Sequence, residues 1–458
     1  MTRQFDAIVV GAGQAGPPLV GRLTAAGMKV ALIERHLVGG TCVNTGCTPT
    51  KAMVASAYAA HLARRAGDYG VRIAGDIAID MPAVNARLQA IAARSRHNNE
   101  TWLEGMDGCT LIRDSARFEA PDRLRVGNES ITAPRIFLNV GGRAIIPDMP
   151  GARDVPLLTN SSILELTEVP RHLVVIGGSY IGLEFAQAFR RFGAAVTVIE
   201  KGPRITGRED EDVSAELQAI LAEEGIAFRL NAECIHFAKH ADGIAAGVTC
   251  TEGDPDVIGS HVLMAVGRRP NTDDLGLDAA GLASDDHGHV IVNDRLETSV
   301  PGIWALGDCN GRGAFTHTSY NDYEIVAANL LDGADRRVGD RLPCYGLFVD
   351  PPLGRVGMGE AEAKAKGHRI KVGKRAMTRV GRAVEKGEAK GFMKIVVDAD
   401  SDAILGGAVL GPGGDEAVHV ILDMMQAGQT ATALTRTVHI HPTLAELIPT
   451  IAGELKPA

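Results

Sequence analysis

Two stretches of the chain carry the same order of apolar, glycine-rich and helical positions. Phe5-Asp6-Ala7-Ile8-Val9-Val10 is an apolar run of strand length that enters Gly11-Ala12-Gly13-Gln14-Ala15-Gly16. A helical stretch from Leu19 to Ala26 follows, then an apolar strand from Met28 to Ile33 that ends on Glu34. The order recurs. Leu173-Val174-Val175-Ile176 enters Gly177-Gly178-Ser179-Tyr180-Ile181-Gly182, a helix covers Leu183 to Phe192, and a strand from Ala195 to Ile199 ends on Glu200. Gly11 to Glu34 and Gly177 to Glu200 are the same interval. A strand–turn–helix–strand–acid unit used twice at matched spacing predicts an α/β chain with two Rossmann-like dinucleotide-binding units.

The last part of the chain reads differently. Phe392 to Asp398 and Ala403 to Leu410 predict an antiparallel hairpin, and Asp415 to Ala427 and Leu444 to Ala452 predict helices. This is an α+β pattern, not a third nucleotide unit. Gly- and Pro-rich stretches at Gly141 to Gly151, Gly267 to Asn271 and Gly333 to Pro352 mark boundaries.

A length of 458 residues agrees with about three domains at roughly 100–200 residues each. With 45% hydrophobic residues there is enough apolar surface for substantial cores. No apolar run reaches the roughly 18 residues of a membrane span, and the first residues lack a signal-peptide layout, so a cytoplasmic protein without membrane contact is expected. A net charge of −9 argues against nucleic acid as a partner.

Composition turns attention to cysteine. Seven cysteines are an odd count, which speaks against a secreted disulfide framework. Only Cys42 and Cys47 are close in sequence. Cys109, Cys234, Cys250, Cys309 and Cys344 are scattered and read as buried structural thiols.

The first glycine turn has a specific physical reading. Gly11 permits the tight turn, Gly13 lets backbone approach a pyrophosphate, and Gly16 lets helix and strand pack closely. The helix start then offers free N–H groups to phosphate. Glu34 can accept from ribose hydroxyls. In the second turn Ser179 replaces the middle glycine and its hydroxyl can donate to phosphate. A plain βα turn is the competing reading in both places. Glu200 favours NADH, because a carboxylate repels the extra phosphate of NADPH. Lys201, Arg204 and Arg208 can recruit that phosphate, so NADPH stays open.

The segment Gly39-Gly40-Thr41-Cys42-Val43-Asn44-Thr45-Gly46-Cys47-Thr48-Pro49-Thr50-Lys51 follows the first unit directly. On a helix start loosened by Gly46, this spacing can bring two sulfurs within bonding distance. A thiol at a helix N-terminus has a lowered pKa. Lys51 falls on the same helical face as Cys47 and adds positive charge. A zinc site needs a second ligand pair, and no Cys or His pair lies close by, so no metal is expected. Redox chemistry is favoured over two inert thiols.

With these residues the chain resembles the class I pyridine nucleotide–disulfide oxidoreductases, in their mercuric-reductase-like and dihydrolipoamide-dehydrogenase-like branch. The resemblance covers essentially the whole chain. It implies a glutathione-reductase-like fold: an FAD-binding domain at 1–145 and 272–335, an NAD(P)-binding domain at 146–271, and a dimerisation domain at 336–458. It implies that Cys47 lies next to FAD and that Cys42 meets the substrate. Gly40, Thr41, Lys51, Ala116, Gly141, Thr316 and Asp308, in a second FAD motif ending Ala305-Leu306-Gly307-Asp308, would serve FAD. Tyr180, Ile181, Gly182 and Gly267 would serve NAD(P), with Gly267-Arg268-Arg269-Pro270-Asn271 as the return crossing. Glu184 would pair with Lys51.

His439-Ile440-His441-Pro442-Thr443-Leu444-Ala445-Glu446 is similar to the family's acid–base motif. Glu446 can orient the imidazole of His441 and stabilise its cation. The resemblance implies that this histidine serves a partner subunit, in a homodimer with shared active sites. His439 competes; a family cis peptide before Pro442 favours His441.

The SYIGLEFAQ run, Arg208-Glu209-Asp210 and Phe315-Thr316-His317-Thr318-Ser319-Tyr320 point towards mercuric reductases. Two features depart from them. The last cysteine is Cys344, and His441 stands where those enzymes carry an aromatic residue. The departures favour a small disulfide or thiol substrate. A Cu(II)- or Hg(II)-type metal-ion substrate and a flavoprotein-component role in a multienzyme complex remain alternatives, as does a quinone or oxygen reductase that needs no cysteine. His317, Tyr320, Asp322 and Tyr323 either set substrate choice or form a polar contact helix.

Overall fold

Ala7–Val10 and Val30–Ile33 are buried at every position. A strand buried on both faces belongs inside a parallel sheet covered on both sides. The computed structural model, which describes residues 3–249 and 253–458, has them there. Five parallel strands run in the order Ile303–Ala305, Ile136–Leu138, Ala7–Val10, Val30–Ile33, Cys109–Ile112. Ala7–Val10 is central, with the chain leaving it in opposite directions on its two sides. Such a switch point opens a crevice at the carboxyl ends of the strands, and Gly11 lies there.

The second unit repeats the plan. Leu157–Leu158, His261–Met264, His172–Ile176, Ala195–Ile199 and Ile226–Arg229 form another five-stranded parallel sheet. Two short strands carry the chain between the units. Gly142–Ala144 leads out, Arg268–Pro270 leads back, and they pair antiparallel. The first sheet takes an edge strand from Ile303–Ala305, after this return.

The C-terminal unit is a six-stranded antiparallel sheet: Cys344–Leu347, Leu353–Gly357, Ile404–Leu410, Phe392–Asp398, Ile370–Ala376, Lys456–Pro457. The predicted hairpin is its centre. The predicted helices differ in detail. Asp415 to Ala427 divides into Gly414–Ala417 and His419–Gln426, although Val418 between them keeps helical angles (φ −61°, ψ −24°). Leu444 to Ala452 starts as a 3-10 turn, Ala445–Leu447, before Ile448–Gly453. Pro449 in the first turn of that helix has no N–H to continue the preceding one. The nucleotide helices start earlier than predicted, at Gly16 and Tyr180. Each glycine turn feeds its helix directly, and Pro17 is tolerated in a first turn.

One core holds the three units together around the cysteine-bearing helix, Cys47–Arg64. Met53 and Ala57 of that helix share a buried cluster with Leu183, Phe185 and Phe189 of the second unit and Leu347 and Leu353 of the C-terminal sheet. Each large apolar side chain so buried contributes about 1.5–3 kcal/mol. The helix is therefore fixed to the nucleotide unit and the C-terminal unit at once. No helix among the described residues is long and apolar enough to cross a membrane.

Candidate active site

Both glycine turns are glycine for steric reasons. Gly11 has φ +101°, and a Cβ there would lie 2.2 Å from the Asn139 carbonyl oxygen. Gly177 has φ +107°, and a Cβ would lie 2.4 Å from that of Ala265. Gly16 and Gly182 are the close-packing positions, where a Cβ would meet the Gly11 and Gly177 oxygens at 2.3 and 2.2 Å. Gly13 abuts Gly40: a Cβ on Gly40 would come within 2.9 Å of the Gly13 Cα. Neither nucleotide helix has a side-chain N-cap, and the Ser179 hydroxyl is not spent on capping. The second helix keeps first-turn N–H groups for phosphate, but the first does not, against expectation: Gly16 N–H bonds Asn139, and Pro17 and Pro18 have no N–H.

The two acids are held alike. Glu34 accepts from Ala12 N–H and His36 N–H, both at 2.8 Å. Glu200 accepts from Gly178 N–H and Gly202 N–H, both at 2.7 Å. Two backbone donors fix each carboxylate, and each oxygen keeps a lone pair for a ribose hydroxyl. Lys201 and Arg208 face the same cleft as Glu200. Arg204 is engaged elsewhere: its guanidinium donates to the Gly207 and Glu209 carbonyls.

A single cleft of about 1540 Å³ joins the two turns and the cysteines. Gly11, Gly13, Glu34, Gly40, Thr41, Ala116, Gly141, Asp308 and Thr316 line it from the first unit. Gly177, Ser179, Tyr180, Ile181, Glu200 and Gly267 line it from the second. Burial raises the Asp308 pKa, against the opposing pull of Arg268 at 3.5 Å.

The chain breaks between the Gly40–Asn44 helix and the Cys47–Arg64 helix, with Gly46 at the break. A Cβ on Gly46 would meet the Thr41 oxygen at 2.8 Å. The break makes Cys47 the first residue of its helix and turns it towards Cys42. The two thiols share a hydrogen bond. That bond is the main reason Cys47 is lowered to about 6, with Thr316 and Lys51 adding to it against burial. The Thr316 hydroxyl lies 3.1 Å from Cys47 Sγ. Cys42 is pushed upward by the same bond and by burial. The pair thus divides into a thiolate, Cys47, and a proton-holding thiol, Cys42.

Lys51 Nζ lies 2.6 Å from Glu184 Oε2 and 4.4 Å from the centre of the Phe348 ring. Phe348 N–H donates to the other Glu184 oxygen at 3.0 Å.

His441 is elsewhere. Its Nδ1 bonds Glu446 Oε2 at 2.9 Å, and the His441–Pro442 peptide is cis. The side chain is 81% exposed and does not reach the cleft of its own chain. His439 has both ring nitrogens occupied, by the Ala445 oxygen and the Thr437 hydroxyl, which suits a structural role. Val438 and Ile440 flank the motif at 97% and 80% exposure, apolar side chains standing in solvent.

Comparison with known proteins identifies the chain. Residues 5–322 match the pyridine nucleotide-disulphide oxidoreductase family, and residues 345–452 match that family's dimerisation domain. This chain belongs to the pyridine nucleotide-disulphide oxidoreductases. It is 32% identical to dihydrolipoyl dehydrogenase of Thermus scotoductus, over 97% of this chain and 96% of that one. It is 33% identical to the probable pyridine nucleotide-disulfide oxidoreductase RclA of Escherichia coli, over 97% of both. It is 31% identical to mercuric reductase of Streptomyces lividans, over 97% of this chain and 94% of that one. The Cu(II) complex of the flavoprotein disulfide reductase RclA from Escherichia coli superposes with a TM-score of 0.90 at 31% identity, covering all of both chains. The chain is accordingly an FAD-dependent, NAD(P)H-dependent oxidoreductase of the sulfur-acting kind.

Within this oxidoreductase, several functional contacts escape sequence reasoning. Asn139 accepts from Gly16 N–H at 3.1 Å and donates to the Leu306 oxygen. Arg268 donates to the Gly142 oxygen and the Thr41 hydroxyl while facing Asp308. The Gly-Arg run before Pro270 was the available signal for Arg268; Asn139 has none. Of His317, Tyr320, Asp322 and Tyr323, His317 alone lines the cleft, and its Nε2 lies 2.7 Å from the Cys344 oxygen. Asp322 is buried, accepting from Gly307 N–H and Asn310 and paired with Arg341. Tyr320 packs edge-on against Tyr323 away from the cleft.

The remaining thiols vary. Cys309 is buried, pushed up to about 12 by that burial. Cys109 and Cys344 are only half-buried, against expectation, because each begins a strand at the edge of its sheet. Cys344 forms part of the cleft wall. The Cys234 side chain and Cys250 lie outside the described residues. Asp210, Asp212 and Glu360 converge like metal ligands, but the Lys394 ammonium sits among them at 2.8, 2.8 and 2.9 Å.

Proposed function

We propose that the protein is an NADH-dependent disulfide reductase working as a homodimer with shared active sites. The observation that carries this is the asymmetric pair: Cys47 is the first residue of its helix, with the Thr316 hydroxyl 3.1 Å from its sulfur, and is held low by Cys42, whose own thiol is pushed upward.

The residues fit the cofactor. The Gly11 turn, closed to any side chain, lets backbone approach a pyrophosphate; Glu34 suits a ribose, and Asp308 a polyol chain. FAD, when bound, passes two electrons between the nicotinamide and the cysteine pair. The chain does the rest. Cys42 must lose its proton before it can attack a disulfide. His441, backed by Glu446 and exposed beside two apolar side chains, supplies the base to a partner subunit. Cys42 thiolate attacks one sulfur of the substrate, and the other leaves as a thiol with the proton from His441. Cys47 thiolate then attacks Cys42, expelling the second half of the substrate as a thiolate, which takes its proton from solvent, and forming the Cys42–Cys47 disulfide. Lys51, held by Glu184, keeps positive charge near Cys47 throughout. Glu200 turns away the extra phosphate of NADPH.

A second reading is favoured by the likeness to a Cu(II) complex. Two adjacent sulfurs suit a soft metal ion, which would take electrons from the reduced pair. One experiment separates the readings. The enzyme is reduced anaerobically with NADH, then titrated with lipoamide, glutathione disulfide, other small disulfides, Cu(II) and Hg(II). Fast reoxidation by a disulfide supports the proposal. Reoxidation by metal ions alone overturns it in favour of the second reading.

A further inference from the structure

The segment after the second nucleotide strand folds back beneath the coenzyme turn. Thr206 N–H donates to the Gly178 oxygen at 2.8 Å, and Glu209 N–H donates to the Thr206 oxygen at 2.8 Å. Thr206 has φ +43°, a left-handed backbone that a β-branched residue adopts only where its surroundings enforce it.

Glu209 is what this segment delivers. It is 2% exposed. Its Oε1 accepts two phenols, Tyr180 at 2.9 Å and Tyr345 at 2.8 Å. Tyr180 opens the helix of the coenzyme turn and lines the cleft. Tyr345 lies on the edge strand of the C-terminal sheet. The two rings stand 5.4 Å apart. One carboxylate oxygen therefore bridges the coenzyme turn to the C-terminal unit.

The anchor is charged and closed. Arg355 of the C-terminal sheet lies 3.8 Å from Glu209 and 3.6 Å from Asp210. Asp210 in turn accepts from Glu360 N–H and pairs with the buried Lys394. Buried ions are costly to desolvate, and apolar side chains would join these surfaces at less cost, so their value lies in fixing one geometry.

We propose that Glu209 is a positioning residue for the coenzyme half of the reaction: it holds the Tyr180 phenol in the cleft wall, keyed to Tyr345, and so links coenzyme binding to the seating of the C-terminal unit. This rests on the reading that NADH enters at the Gly177 turn. Without the bond, the Tyr180 ring is free to turn into the space the coenzyme needs.

The test is anaerobic stopped-flow reduction of the FAD-loaded protein by NADH. Glu209→Ala raises the NADH concentration for half-maximal reduction about tenfold. Glu209→Gln, which keeps an acceptor oxygen, recovers most of that, and Tyr345→Phe moves it the same way by less. In a Tyr180→Phe background, Glu209→Ala adds nothing. Reoxidation by disulfide stays within about twofold of the parent. An equal effect of Glu209→Ala with and without the Tyr180 hydroxyl overturns the proposal, and so does an equal loss in both half-reactions. If Glu209→Ala does not retain FAD, the same comparison is made with Tyr345→Phe. Failure of the parent to be reduced by NADH would instead sink the functional reading beneath it.

Discussion

The Lys51 ammonium and the Glu184 carboxylate, 2.6 Å apart, tie the thiol-bearing helix to the helix that opens the coenzyme turn. Glu184 is buried and Lys51 half-buried, so removing either leaves a poorly solvated charge. Lys51→Met should move the Cys47 titration up from about 6 towards the ordinary thiol range, because a cation that lowers it is gone. It should also cost about 1–3 kcal/mol of stability. Thiolate absorbance against pH and a urea midpoint measure the two effects.

Unequal thiols predict unequal variants. Cys42→Ser should lower disulfide turnover by at least about 10³-fold while flavin reduction by NADH persists. Full turnover in that variant, measured with the disulfide that best reoxidises the parent, would sink the proposed division of labour.

The exposed position of His441 predicts complementation between subunits. Homodimers of Cys42→Ser and of His441→Ala should each be nearly inactive. Dissociated and reassembled together, they should recover about a quarter of parental activity, since half the dimers are mixed and each has one intact site. No recovery would mean that His441 serves its own chain or no site at all.

Stability of the reduced protein should depend on pH in a stated direction. The folded Cys47 pKa, about 6, lies below its ordinary 9.0, so its stabilisation is fully present above 9.0 and is lost as pH falls through 6. Cys42 is raised, so its stabilisation is present below 9.0 and declines as pH rises towards its folded value. The unfolding midpoint should rise from pH 6 to 9, and Cys47→Ser should lack that rise.

Glu200 sets the coenzyme prediction. Of the three basic residues that follow it, Arg204 is committed to backbone carbonyls, and Lys201 and Arg208 face the cleft. Glu200→Ala should narrow the ratio of kcat/KM for NADH over NADPH by about tenfold. A parent enzyme that already prefers NADPH would overturn the assignment.

What was legible in the sequence was local. The glycine turns, their acids and the cysteine spacing each lie within a few turns of chain, where sterics and period leave a signature. Asn139 reaches Gly16 from 123 positions away, and Phe348 reaches Glu184 from 164. No periodicity records such contacts; they exist because two sheets and a third unit close on one helix. The same holds for Glu209, whose buried place is set by tyrosines from two units. The helix breaks near Val418 and Ile448 were missed because an apolar stripe continues through them.

The paired strands Gly142–Ala144 and Arg268–Pro270 give the coenzyme unit one doorway. It leaves and re-enters its host through neighbouring strands about 4.8 Å apart, so the host sheet closes without being threaded through it. It behaves as a cartridge. Another unit with the same sheet order, spliced between Ala144 and Arg268, should leave the flavin side folded, and coenzyme choice could then be exchanged without redesigning the thiol chemistry. It would not come across silently, however. The borrowed unit would have to bring its own equivalent of Glu209, or the start of its first helix would lose its link to Tyr345 of the C-terminal sheet.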